Sequence, residues 1–402
     1  MMPPHEARAL CLLPDRAAVL AGLRDRKIGA TALRELLESS EERPRQAWSG
    51  TVELRDGQGR RTDMAVRVPR TAGRRPGVLV VLHGAGGSGE QILPHFAALG
   101  ERLGLAVLCP TAQLPAERSN NLDVAGLFGS RFRMPRWDLS GPDFLPAALR
   151  WARTTLDADP DRCVLTGVSM GGLATWNMGM RYRHSFSAAV PVNGALSVWE
   201  SFGTDERTRA LLPNTLPLPL FVVHGSADEQ IPARFDRESV ETLRALGHKD
   251  LRYEEVAGGG HGLETLGLEP DSPLFTRLEE WLAGAQRTAQ PDEIRHRADE
   301  DRHGRAHWVE AGGITPGRAS EIHAVRTSPD RIEVQVSGAR RVTLHLRGGR
   351  LAPGDTCRIS VNGTASPVRF TPDLPTVVDS YRETADPGLV AEQIVHCAVP
   401  ER

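Results

Sequence analysis

The sequence has few cysteines, few aromatic residues and almost no excess of charge. Its five cysteines are widely spaced, and no two of them form a CxxC pair or another spacing typical of metal ligands. Lys and Arg number 49 and Asp and Glu number 51, so no overall field favours nucleic acid or an anionic membrane. Charged residues interrupt each apolar run before it reaches membrane-spanning length. These absences argue against nucleic-acid-binding, membrane-spanning and thiolate-metal proteins.

The first residues and the cysteines both bear on the compartment. The segment MMPPHEARALCLLPDRAAVL lacks a basic flank followed by an unbroken apolar stretch, so the sequence predicts no signal peptide. An odd number of scattered cysteines is typical of free thiols in a reducing compartment. We therefore expect a cytoplasmic protein, and homo-oligomerisation stays open.

The chain is 402 residues long, which exceeds what one hydrophobic core usually supports. Helical spacing predicts an N-terminal extension over residues 1–46. Residues 47–287 alternate apolar strands with helices, which predicts a doubly wound, mostly parallel α/β sheet. Residues 288–306 are charged and poor in apolar residues, so we expect a linker. Residues 307–402 alternate short strands with turns, a pattern typical of a small antiparallel β-sandwich.

A serine between glycines is the strongest local signal. Ser169 lies between Gly167 and Gly171, where a predicted strand passes into a predicted helix. A hydroxyl at such a junction projects above the carboxyl edge of the sheet. The N–H of Met170 then points to where a substrate carbonyl oxygen would gain negative charge. A glycine-rich packing turn is the alternative explanation of the motif.

A serine nucleophile needs a base, and the base needs an orienting acid. Asp228 follows the apolar strand FVVHG, and His261 lies in the loop GGGHG after the last strand of this segment. The order of serine, acid and histidine suits a doubly wound hydrolase. Helix capping by Asp228 and use of Glu229 as the acid remain alternatives. The pattern predicts Ser169 as nucleophile, Asp228 as acid and His261 as base.

The glycine-rich loop HGAGGSG follows an earlier strand, at residues 83–89. We expect the N–H of Ala85 to be the second donor to a developing oxyanion, with the neighbouring Gly84 and Gly86 left open. The loop lacks a GK[ST] ending and the GxGxxG pattern with its acid, so it predicts no nucleotide site. Three histidines of the charged segment are interpreted as solvated, with a metal site as the alternative: His296, His303 and His307. We expect no metal and no organic cofactor.

Two long segments follow strands at the edge that carries Ser169, at 113–138 and 195–217. Long loops at such an edge usually form the walls of a substrate site. We expect Trp137, Arg136 and Trp199 to contact the substrate. Solvation of a surface loop and ordinary packing of the aromatic rings are the alternatives.

The stretch DPDRCVLTGVSMGGLATWNMGMRYRHSFSAAVPVNG resembles a family of predicted peptidases and carboxylesterases. That family is grouped with polyhydroxybutyrate depolymerases, feruloyl and acetylxylan esterases and the prolyl oligopeptidase clan, all of them α/β-hydrolases. The resemblance covers about residues 66–282. The family pattern HG-x-x-D-x-x-[IV]-P is similar to HGSADEQIP, which implies that Asp228 rather than Glu229 is the acid. Many members are secreted, whereas this sequence lacks a signal peptide.

These observations predict a carboxylic ester hydrolase that acts on a small-molecule or oligomeric ester through an acyl-enzyme on Ser169. A serine peptidase or amidase with the same residues is one alternative. The 46-residue extension is too small for a propeller domain that filters peptides, which favours an ester. A protein that binds a glycan or a partner through the C-terminal sandwich is a second alternative. The ordered serine, acid and histidine favour an enzyme over it.

Overall fold

The chain divides into two compact units. The computed structural model describes residues 2–39, 46–56, 59–73, 75–112, 137, 144–196, 206–315 and 317–400. One unit combines Met1–Glu42 with Thr288–Arg402, and the other is Arg43–Arg287. The first unit begins with three helices: α1 (Pro4–Cys11), α2 (Arg16–Asp25) and α3 (Ala30–Glu38).

The unit of residues 43–287 contains an eight-stranded sheet in the order β1-β2-β4-β3-β5-β6-β7-β8. Its strands are β1 (Trp48–Arg55), β2 (Arg61–Val68), β3 (Gly77–Leu82), β4 (Leu105–Pro110), β5 (Cys163–Val168), β6 (Ala188–Val192), β7 (Leu220–Gly225) and β8 (Leu251–Val256). β2 runs antiparallel to β1 and β4, and the remaining pairs are parallel. This order confirms the predicted doubly wound, mostly parallel sheet.

Helices cover both faces of this sheet. They are α4 (Gly89–Leu103), α5 (Phe144–Thr155), α6 (Met170–Arg181), α7 (Glu206–Arg209), α8 (Arg234–Ala245) and α9 (Pro273–Ala283). Val78 and Val80 of β3 pack in one cluster with α5, α6 and α8, whereas Leu79 and Val81 pack in another with α4 and α9. Because both faces are covered, β3 to β7 are buried along their length rather than alternating between buried and exposed residues.

The C-terminal part of the other unit contains two smaller sheets. Its elements are β9 (Glu293–Ala298), β10 (Arg305–Ala306), β11 (Val309–Gly312), β12 (Ser320–Ser328), β13 (Arg331–Ser337), β14 (Arg341–Leu346), β15 (Thr356–Val361), β16 (Thr364–Arg369), α10 (Leu374–Thr384) and β17 (Gln393–Ala398). The sheet orders are β10-β11-β14-β17 and β16-β15-β13-β12-β9. Buried side chains of both sheets, such as Val342 and Ile322, belong to one hydrophobic cluster. The expected antiparallel sheets are present, although β13 and β15 pair in parallel.

The segment 288–306 differs from the predicted linker. β9 lies within it and pairs with β12 at the edge of the five-stranded sheet, from Ala298 opposite Ser320 to Glu293 opposite Val325. Ile294 is buried while its neighbours Glu293 and Arg295 are exposed, so the charges follow the two-residue period of a strand. Charged residues are common on edge strands because they discourage pairing with other chains. The charge that indicated a linker therefore belongs to a strand.

The predicted N-terminal extension belongs to the same unit as the C-terminal sheets. Leu23, Leu33 and Leu37 of the first helices share a core with Val377 and Tyr381 of α10, and all five are buried. A buried carboxylate joins the same segments. The Glu392 side chain accepts from Thr31 Oγ1 (2.8 Å) and forms an ion pair with Arg34 Nε (2.9 Å). The first and last parts of the chain therefore form one core.

Truncating this shared core should loosen the C-terminal helix. Leu33→Ala removes a fully buried side chain, which typically costs about 2–5 kcal/mol. We expect amide hydrogen exchange in residues 374–384 to accelerate at least tenfold, while exchange in β3 to β7 stays unchanged. The matched control is Leu13→Ala, because Leu13 is 49% exposed. Unchanged protection of residues 374–384 in Leu33→Ala would contradict a shared core.

Candidate functional site

Ser169 occupies a strained turn between β5 and α6. Its φ and ψ are 59° and -120°, a region that non-glycine residues seldom adopt. The turn requires a close approach of two backbone segments, because a Cβ at Gly171 would lie 1.9 Å from the carbonyl oxygen of Leu82 on β3. The structure therefore has the strand-to-helix junction that the sequence predicts, with Met170 as the first residue of the helix.

The structure brings Ser169, His261 and Asp228 together in one series of hydrogen bonds. Ser169 Oγ lies 2.7 Å from His261 Nε2, and His261 Nδ1 lies 2.7 Å from Asp228 Oδ2. An ionised carboxylate only accepts, so His261 Nδ1 carries the hydrogen and Nε2 is free to accept from the serine hydroxyl. This arrangement is what proton removal from Ser169 requires.

Asp228 is fixed by the backbone of its own loop. Its Oδ1 accepts from the N–H groups of Gln230 (2.8 Å) and Ile231 (2.9 Å), which leaves Oδ2 for His261. Burial raises the pKa of a carboxyl group, but the contacts with His224 and His261 outweigh burial and hold the pKa of Asp228 well below its usual range. The neighbouring Glu229 is exposed, so the structure puts Asp228 rather than Glu229 against the histidine.

The loop of His261 is held by Asn193, a residue that the sequence analysis did not single out. Asn193 follows β6 and is fully buried. Its Nδ2 donates to the carbonyl oxygens of Gly260 (3.0 Å) and His261 (2.8 Å), and its Oδ1 accepts from the N–H of Gly225 (2.9 Å). One amide therefore ties the histidine loop to the end of β7. The asparagine that directly follows an apolar strand in AAVPVNG was the available signal.

The glycine-rich loop after β3 lies directly beside Ser169. A Cβ at Gly84 would lie 3.5 Å from Ser169 Cβ. The Gly87 N–H donates to Gly84 O (3.2 Å), and Gly86 has a φ of 71°, as a tight turn with glycine at its third position requires. Ala85 lies in this turn. The donor roles of the Met170 and Ala85 N–H groups remain predictions.

His83 and Trp137 stabilise this loop through hydrogen bonds. His83 Nε2 accepts from the Ala112 N–H (2.9 Å), and Nδ1 donates to Gly84 O (2.6 Å). Burial lowers the pKa of His83, which favours the neutral ring that this pattern needs. The Trp137 indole donates to His83 O (2.9 Å), and the two ring centroids are 4.9 Å apart.

These contacts revise the expected substrate contacts. Trp137 is only 8% exposed and belongs to the hydrophobic core, so it supports the loop beside Ser169 rather than forming an open wall. Arg136 and Trp199 lie outside the described residues. Sequence reasoning also missed His83 and His224 as functional candidates. Each directly precedes a glycine at the end of a buried parallel strand, and this repeated His-Gly pair was the signal.

The three histidines of the charged segment are buried, so the interpretation of them as solvated is wrong: His296, His303 and His307. His296 and His303 are buried, and His296 Nε2 lies 2.7 Å from the carbonyl oxygen of His303. Among the residues that the structure describes, no group of three or more His, Cys, Asp or Glu side chains is arranged to hold a metal ion.

None of the helices in the described ranges has the length and apolarity needed to cross a bilayer.

Comparison with known proteins finds esterases. No family model matches the chain. The chain is 28% identical over 160 residues to Esterase LipC of Mycobacterium tuberculosis, covering 30% of this chain and 40% of that protein. It is 31% identical over 128 residues to an acetylxylan esterase of Coprinopsis cinerea, covering 31% of this chain and 33% of that protein. Each match thus spans less than half of the relative. Among solved structures, a thermostable esterase is 26% identical, with a TM-score of 0.42, over 60% of this chain and 63% of that chain.

The contact between Gly171 and β3 gives a test of the turn. Gly171→Ala should lower the free energy of unfolding by about 3 kcal/mol, because its Cβ would overlap the backbone carbonyl of Leu82. Gly179→Ala in the same helix is the control. Its Cβ would meet a leucine methyl of Leu218 at 3.4 Å, and an alanine inside a helix is typically about 0.5–1 kcal/mol more stable than a glycine.

Urea unfolding followed by tryptophan fluorescence measures both variants, since six of the seven tryptophans lie in residues 43–287. Equal stability of the two variants would contradict the close approach of α6 to β3.

Proposed function

We propose that this chain, an α/β-hydrolase related to esterases, cleaves carboxylic esters through an acyl-enzyme on Ser169. The observation that carries the proposal is the unbroken series of hydrogen bonds from Ser169 through His261 to Asp228, with both links 2.7 Å long. A buried acid, a histidine and a serine in this order form the arrangement that activates a hydroxyl nucleophile. The esterase names of the curated relatives support an ester as the substrate.

The first half-reaction forms the acyl-enzyme. Ser169 Oγ attacks the acyl carbon while its proton passes to His261 Nε2. The carbonyl oxygen becomes an oxyanion, which accepts hydrogen bonds from the N–H groups of Met170 and Ala85. The intermediate then collapses and breaks the bond to the alcohol oxygen, and the leaving alcohol takes the proton from His261. Asp228 stays ionised throughout and offsets the charge of the transient imidazolium.

The second half-reaction releases the acid. Water gives a proton to His261 Nε2 as its oxygen attacks the acyl carbon of the Ser169 ester. The new intermediate collapses, Ser169 Oγ leaves with that proton, and the carboxylic acid departs. The serine and the neutral histidine are restored, so the cycle needs only water and ester.

The nucleophile is tested by covalent labelling. A fluorophosphonate probe reacts with serines that a neighbouring base activates, so we expect stoichiometric labelling of the wild type and none of Ser169→Ala. Ser272→Ala is the matched control, because Ser272 caps α9 and its loss removes the bond from the Phe275 N–H and the bond to the Gly267 carbonyl oxygen, both away from Ser169 in the chain. This control should be labelled at the wild-type rate, at a stability cost of about 1 kcal/mol. An unlabelled wild type, or a labelled Ser169→Ala, would contradict the proposal.

The type of substrate is tested by comparing leaving groups on the same acyl chains. We expect hydrolysis of p-nitrophenyl esters from acetyl to octanoyl, with kcat/KM for the best ester at least 100-fold above that for the matching acyl anilide. An amide nitrogen must be protonated before it leaves, and an ester oxygen is the easier leaving group. Steady-state kinetics on purified protein give the ratio, with Ser169→Ala as the background. Cleavage of anilides alone would make the chain an amidase or peptidase.

A further inference from the structure

A second histidine lies behind the acid of the proposed triad. His224 is near the end of β7, and its side chain has no exposed surface. Its Nδ1 lies 2.8 Å from Asp236 Oδ2, and its Nε2 lies 2.8 Å from the carbonyl oxygen of Ile231. A carbonyl oxygen only accepts, and an ionised carboxylate only accepts. Both ring nitrogens therefore face acceptors, which suits a ring that carries a hydrogen on each.

We propose that His224 is a protonated positioning residue, whose imidazolium pairs with Asp236 and sets the charge and orientation of Asp228. This inference rests on the proposed function, because Asp228 acts there through His261. His224 Nε2 lies 3.6 Å from Asp228 Oδ2, the oxygen that faces His261. At that distance the contact is electrostatic rather than a hydrogen bond. His224 is therefore a positioning residue and does not touch the ester.

The contacts of Asp236 close a ring around the site. Asp236 lies on α8, and its Oδ1 accepts from the indole N–H of Trp176 (2.8 Å). Trp176 lies on α6, the helix that begins directly after Ser169. The contacts therefore form a closed series. It runs from α6 through Trp176, Asp236 and His224 to Asp228. From Asp228 it continues through His261 to Ser169, which directly precedes α6. Trp176, Asp236 and His224 are at most 1% exposed, so these three side chains are shielded from bulk solvent.

With both carboxylates ionised, a protonated His224 balances the charges of this group during the reaction. Asp228 and Asp236 are two buried carboxylates, and one imidazolium leaves a single negative charge before the reaction. When His261 takes the serine proton, two imidazoliums face two carboxylates and the net charge becomes zero. With a neutral His224 and both carboxylates ionised, the group would hold two uncompensated negative charges before the reaction, and burying such charge is costly.

The neighbouring ionisable groups agree with this assignment. Burial favours the neutral imidazole, but Asp228 and Asp236 outweigh burial and raise the pKa of His224 to about 10. Glu255 lies on the neighbouring strand β8, where it pairs with His224 of β7. Glu255 pairs with Arg237 and accepts from the Tyr253 hydroxyl, both at 2.7 Å. These groups add no cation in direct contact with His224, so its charge is set mainly by the two aspartates.

The protonation state is read directly by NMR. In the full chain labelled with ¹⁵N-histidine, the resonances of His224 are assigned by their loss in His224→Gln. We expect both ring nitrogens of His224 to have the shifts of protonated nitrogens, without change from about pH 6 to pH 8.5. A neutral ring at pH 8, with the hydrogen on Asp236 instead, would overturn the proposal.

The role of the charge is read by kinetics. His224→Gln keeps an N–H near Ile231 O but removes the charge, so the carboxylates of Asp228 and Asp236 repel each other and Asp228 is displaced from His261. The extra negative charge also favours the protonated form of His261. We expect kcat to fall about 10- to 100-fold, KM to stay within about twofold, and the acid limb of kcat/KM to move up by about 1 pH unit. His224→Gln/Asp236→Asn removes the cation together with its carboxylate. This double variant should recover at least about tenfold in kcat and return the acid limb toward the wild-type position.

Two outcomes would overturn the inference: an unmoved acid limb in His224→Gln, or a double variant that is no better than the single one. A purely structural role predicts additive losses without a shift of the limb. Fluorophosphonate labelling of the wild type distinguishes failure of the inference about His224 from failure of the proposed function. An unlabelled wild type defeats the function while NMR still reports the state of His224. A labelled wild type with a neutral His224 defeats the inference alone.

Discussion

The approach of α6 to the end of β3 is the constraint on which the site depends. Gly171 brings the first turn of the helix against the carbonyl of Leu82, and no side chain fits between them. Because the helix is held this close, the chain turns sharply at Ser169 and adopts a φ of 59°. The same approach brings the serine beside Gly84 of the loop after β3. The strain at Ser169 is sustained by packing around it, as strained residues at functional sites generally are.

Parallel strand order explains how distant residues meet at this point. His83, Ser169 and Asn193 each follow directly after the last residue of a strand, and Asp228 and His261 lie a few residues beyond β7 and β8. These strands, β3 and β5 to β8, are consecutive neighbours in the sheet. Parallel strands end at one edge, so five loops converge there. Buried side chains such as Asn193 then fix the loops with hydrogen bonds to backbone atoms.

The sequence predicts the strands and the three residues of the proposed triad because each has a local signal. Apolar runs without alternation indicate strands covered on both faces, and the motif around Ser169 indicates the turn. Features that depend on distant partners were missed. The charged residues of β9 indicate a linker when only the sequence is considered. The pairing of β9 with β12 instead makes it an edge strand that carries these charges. The core between Leu33 and Tyr381 joins positions far apart in the chain, and no local pattern reports such a contact.

Buried carboxylates organise both units in the same physical way. Asp228 has one oxygen bonded by two backbone N–H groups and the other facing His261, so its plane is fixed and the imidazole is oriented in turn. In the other unit, Glu392 is met by Thr31 and Arg34 and by the backbone N–H of Gly348. Separating a buried carboxylate from its partners typically costs about 3–5 kcal/mol. Packing arrangements that separate these segments are therefore disfavoured. The buried polar groups select how the segments around them pack.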